Sequence, residues 1–190
     1  MAKTTKTQRR MDMSNTFSDM WYGQSKTTME DIFQMVPQPQ LNKLSDYLIQ
    51  QNGLNYQISM CMEEISELAT ELVLDRSFAD TASEIADVYI TLNHVTYGYD
   101  IQRTVNSIRR KKIRAPQFMS GNDERLIALL GLQKELLKHM NRRRDNMPAV
   151  INATADAYVA LGRLIIAHNN MPLVLDTVYQ KIQRTFQREK

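Results

Sequence analysis

CMEEISELATEL (61–72) and ASEIADVYITL (82–92) are the stretches on which the reading of this chain turns. Residues three apart on a helix share a face. Glu64 and Glu67 therefore point one way from the first stretch, and Glu84 and Asp87 from the second. Apolar residues flank both pairs: Ile65, Leu68 and Leu72, then Ile85, Val88 and Ile90. Two such helices packed antiparallel bring four acids together on partly buried ground. Carboxylates that close repel and are poorly solvated, so something must neutralise them. Hard divalent cations with oxygen ligands do this best, and Mg²⁺ is the usual choice beside phosphates.

The bland alternative is a solvated acidic face, since Glu63, Glu64, Glu67 and Glu71 would also suit one. Two pairs separated by a short turn, both set in apolar helices, favour the cluster. The motif Glu63-Glu64-Ile65-Ser66-Glu67, followed by Glu84-Ile85-Ala86-Asp87, resembles the MazG-like all-α NTP pyrophosphohydrolases. That superfamily includes the dimeric dUTPases and the dCTP pyrophosphatases. The resemblance spans about residues 54–114 and fades elsewhere. It implies hydrolysis of a (d)NTP to the (d)NMP and pyrophosphate, a role in nucleotide-pool control, and Mg²⁺ as cofactor with Mn²⁺ as a substitute. It assigns Glu64, Glu67, Glu84 and Asp87 as metal ligands, with a first-helix glutamate (Glu64, Glu67 or Glu63) as general base. It also implies a homodimer or higher homo-oligomer.

Phosphates need cations of their own. Residues 101–113 form a helix on which Arg103, Asn106, Arg110 and Arg114 follow one face. Family members carry a basic residue and an Asn there, so Arg103, Asn106 and Arg110 are the expected phosphate contacts. Base recognition is less well marked. His94 lies two turns beyond Asp87, Asn93 offers both donors and acceptors, and Trp21 could stack on a base. Each has an ordinary alternative as a packed residue. The basic tail (Lys3, Lys6, Arg9, Arg10) and the run Arg109-Arg110-Lys111-Lys112 support a second reading, a non-catalytic helical protein binding nucleic acid or a protein partner. No helix-turn-helix pattern or aromatic platform accompanies those charges, so nucleic acid is not the expected partner.

Composition sets the outer bounds. The chain has 190 residues, 43% hydrophobic and 24% charged, with a net charge of +3. These figures describe an ordinary globular protein. Twelve Met suit irregular helical packing. One cysteine, Cys61, excludes an internal disulfide and a Cys-based zinc site. No uninterrupted run of 18 apolar residues spans a membrane, and the basic first ten residues precede no apolar signal region, so cytoplasm is the expected compartment.

The fold class expected is all-α, a helical bundle with a degenerate internal duplication. Residues 1–40 read as a basic tail and short helix, 41–118 as the catalytic unit, and 119–190 as a second helical unit packing on it. A capping box at Thr27 and Glu30 starts the short helix, and VPQPQ (36–40) stops it. Further helices are expected over 41–51, ending at Asn52-Gly53, then 54–74 and 78–97. ADVYITL (86–92) matches ADAYVAL (155–161) at a shift of 69, which also pairs Val105 with Val174, Lys112 with Lys181 and Ile113 with Ile182. A shift of 68 pairs Glu67-Leu68 with Glu135-Leu136. Leu132 stands where Glu64 stood and Ala153 where Glu84 stood, so the second copy keeps one acid of each pair. It reads as scaffold, with one metal site per chain.

Overall fold

The computed structural model describes residues 28–34, 38–114, 121–142, 146–168 and 171–187. Among them every regular element is an α-helix and none is a strand. The helices are α1 Met29–Gln34, α2 Gln38–Asn52, α3 Leu54–Val73, α4 Phe78–Gly98, α5 Gln102–Lys112, α6 Asn122–Arg142, α7 Met147–His168 and α8 Met171–Gln187.

Local chemistry explains the boundaries. Thr28 and Asp31 cap α1 reciprocally: the Asp31 amide donates to Thr28 Oγ1 and the Thr28 amide to Asp31 Oδ2. The capping box is thus one residue later than Thr27 and Glu30, and Thr27 lies outside the described residues. α2 starts three residues before the expected Leu41, because Pro39 fits a first turn, where its missing N–H is not needed. Gly53 ends α2 at φ 83°, its amide donating to Ile49. Ser77 caps α4 by accepting from the Asp80 amide.

α3 and α4 form one helical hairpin, and α6 and α7 a second. α4 and α7 are central, buried on most sides from Ile85 to Thr96 and from Ala157 to Leu161. Such helices read apolar all round rather than as one stripe. α7 is long and apolar enough to cross a membrane, but 61% of its apolar window is buried within the bundle. The two hairpins meet where α3 packs on α6, and where Tyr89 and Tyr158 meet edge to face at 5.9 Å.

The remaining helices cross over. α5 leaves its own hairpin and packs on α7, while α8 packs mainly on α4. α2 covers α4 and the start of α3, and α1 lies against α7.

Candidate metal centre

α3 buries Ile58, Cys61, Ile65 and Leu68 at helical spacing. That register leaves Glu64 half-buried at the seam with α4 and turns Glu63 and Glu67 outward. On α4, Ile85 and Val88 are fully buried, which sets Glu84 and Asp87 at the same seam. Carboxylate oxygens of Glu64, Glu84 and Asp87 lie within 4.8 Å of one another. Three of the four expected ligands therefore converge from two helices. Glu67 stands at the rim, close enough to repel Glu64, Glu84 and Asp87.

The electrostatics follow from that crowding. Burial first, then Asp87, Glu67 and Glu84, push the Glu64 carboxyl up to about 7. Glu84 is raised by burial and by the same acidic neighbours. Burial also raises Asp87, partly offset by a lysine, and that lysine is Lys181 of α8, which forms an ion pair with Asp87. Lys181 was not among the expected site residues. The available signal was the repeat at a shift of 69, which keeps this lysine in both halves.

The second half shows a mirrored arrangement. Asp156, which matches Asp87, pairs with Lys112 at 2.5 Å, and Lys112 matches Lys181. Each half thus receives its lysine from the other. Among the described residues no acidic triad forms around Asp156: Leu132 is fully buried, and Glu135 is held by Lys138 at 2.7 Å and by Asn146. Asp156 and Glu135 thus each have a lysine partner.

Arg103, Asn106 and Arg110 line one shallow, open concavity of about 480 Å³ along α5, with Ser107, Lys111 and Arg114. Asn106 also meets Asn93 in a polar cleft between α4, α5 and α7 with room for about one water, ≈ 10 Å³. Asn93 and His94 are each 2% exposed. Asn93 donates to Ser45 Oγ at 2.8 Å and accepts from Gln38 and Gln102, while His94 Nδ1 lies 2.8 Å from Ser45 Oγ. Both side chains hold α2 against α4. Burial lowers the His94 pKa to about 4, so the ring is neutral near pH 7. Trp21 lies outside the described residues. Glu71 sits 3.9 Å from Arg76 at the end of α3. Cys61 is buried and its thiol is pushed up to about 12, as befits a core residue.

Scanning protein-family models, curated proteins and solved structures finds no significant match to this chain.

Proposed function

We propose that this chain is a divalent-metal-dependent nucleoside triphosphate pyrophosphohydrolase of the MazG-like all-α type. The convergence of Glu64, Glu84 and Asp87 on one point, half-buried and mutually repelling, carries the reading. The donor set fits the group: three hard oxygen donors, no sulfur or imidazole, are what Mg²⁺ or Mn²⁺ accepts. Such an ion, when bound, offsets the triphosphate charge and lowers the pKa of an attacking water.

The chain's own residues supply the rest. Glu64, Glu84 and Asp87 hold the cation, and burial fixes their geometry. Glu67, outside the triad and exposed beside Glu84, accepts the proton as water attacks the α-phosphorus. The bond to the β-phosphate bridging oxygen breaks, giving a nucleoside monophosphate and pyrophosphate. Glu63 is exposed one residue from the cluster and tunes the rim charge. Lys181, already drawn to Asp87, contacts the polyphosphate, with Arg103, Asn106 and Arg110 as further candidates. dUTP and dCTP are the commonest substrates in the family the chain resembles, with dGTP or a modified nucleotide as alternatives.

The reading also takes the two halves as degenerate copies. The exchanged pairs Lys181–Asp87 and Lys112–Asp156, each 69 residues from its counterpart, support that. A decayed second site then gives one metal centre per chain.

A second reading rests on the basic concavity along α5, which would suit nucleic acid or an acidic protein partner. Pyrophosphate release from the canonical dNTPs, dUTP and the ribonucleotides, measured with Mg²⁺, Mn²⁺ and EDTA, separates the two. Metal-dependent release from one nucleotide supports hydrolysis. No release, with polyanion binding that collapses between low and moderate salt, supports the second reading.

A further inference from the structure

Lys181–Asp87 and Lys112–Asp156 form a matched pair of ion pairs, one in each half. Their burial matches as well: the side chains are 26% and 23% exposed in the first, and 24% and 26% in the second. The surroundings differ. Asp156 has its lysine and, among the described residues, no acidic triad, so one cation meets one anion. Asp87 shares its place with Glu64 and Glu84, their oxygens within 4.8 Å of one another. One ammonium there faces three carboxylates and leaves most of their charge unbalanced. A divalent ion among those acids has the ammonium as a close neighbour, and the ammonium already holds one of the two Asp87 oxygens. At a separation of about 5 Å, even in the dielectric of water, a unit positive charge weakens the binding of a doubly charged cation by about tenfold. The lysine is able to yield. Val178 and Ile182 are buried and hold α8 on α4, while Lys181 stands at the edge of that face with its charge on a flexible four-carbon stem. It turns from Asp87 to an incoming anion without moving the helix.

We propose that Lys181 couples metal binding to polyphosphate binding: it holds Asp87 in the metal-free chain, opposes a bare cation, and moves onto the phosphate oxygens when cation and polyphosphate arrive together. This rests on the metal-centre reading above and adds an order of binding to it. The same ammonium repels the bare ion and attracts the ion's polyphosphate complex, so each ligand raises the affinity for the other. The chain then selects a metal-charged polyphosphate over the free metal. Lys112 has no such part, because its single acid needs no second cation.

Titration calorimetry on the full chain tests this, with Mn²⁺ alone and with an equimolar Mn²⁺–tripolyphosphate complex, a probe that carries no base. A pH of 8 keeps Glu64 ionised. Lys181→Met keeps the stem and removes the charge. It should bind bare Mn²⁺ about tenfold more tightly than the wild type, and the tripolyphosphate complex about tenfold more weakly. Lys181→Gln should shift both affinities the same way, which keeps the test open if the methionine variant loses helicity. Lys181→Arg should follow the wild type, and Lys112→Met should move neither affinity. If the neutral variants lose affinity for both probes, the lysine only orients Asp87 and the proposal is overturned. No change in either affinity overturns it too. A wild-type chain that binds neither probe overturns the metal-centre reading itself, and the coupling with it.

Discussion

Glu64 is held up to about 7 by burial and three acidic neighbours, against 4.5 for an ordinary glutamate. Its contribution to stability is therefore present in full below about pH 4.5 and is lost as pH rises through about 7. Glu84 and Asp87 are shifted in the same direction. His94 acts oppositely: with its pKa lowered to about 4, its contribution is present above 6.5 and lost as pH falls through 4. Melting curves of the metal-free protein and of Glu64→Gln isolate the cluster. The variant should gain on the wild type between pH 5 and pH 8, and saturating Mn²⁺ should stabilise the wild type more as pH rises. Parallel curves for the two proteins would remove the cluster from the account. Lys181→Ala should lower metal-free stability by about 1–2 kcal/mol, roughly 2–8 °C, because Asp87 then keeps its acidic neighbours and loses its counter-charge. Added Mn²⁺ should restore most of that loss, and a variant melting with the wild type in EDTA would argue against it. The meeting of Glu64, Glu84 and Asp87 was legible in the sequence from helical spacing, whereas Glu67, expected on the same face as Glu64, is exposed and stands outside that triad. Lys181 was not legible, because no local pattern says which helix will cover that face.

α2 is fixed to α4 through buried polar contacts as well as through Leu41 and Leu44. Ser45 is the hub: its hydroxyl meets both Asn93 and His94. Ser45→Ala removes that oxygen and strands two buried polar groups, so we expect a loss of about 1–3 kcal/mol. Urea unfolding would measure it, and a change within 0.5 kcal/mol would mean that water substitutes freely. The same hub explains why Asn93 and His94 read ambiguously. A polar residue on an apolar helix is equally consistent with a ligand contact and with a partner on a neighbouring element, and the partner here lies 48 or 49 residues upstream. Helix existence was far more legible than helix partnership. The expected start of α2 erred by three residues because Pro39 was taken as a terminator, whereas in a first turn proline is compatible with the helix.

At the scale of the molecule, two hairpins of similar design carry different chemistry. Asp87 belongs to a crowded cluster with Lys181, whereas Asp156 has Lys112 and, among the described residues, no acidic triad. Asp87→Asn and Glu67→Gln should therefore reduce pyrophosphate release by about 100-fold or more, with helicity intact. Asp156→Asn should leave it within a few-fold of wild type. Equal losses at Asp87 and Asp156 would mean that both halves hold metal, or that neither does. The sequence offered a match between the halves at a shift of 69; it could not show that α5 packs on α7 and α8 on α4, because amphipathic helices of similar length fit either hairpin. That exchange has a consequence for biosynthesis. The acid hairpin leaves the ribosome before the lysine that balances it, which follows 94 residues after Asp87. Until then a nascent chain carries Glu64, Glu84 and Asp87 without their lysine, for tens of seconds of translation at most.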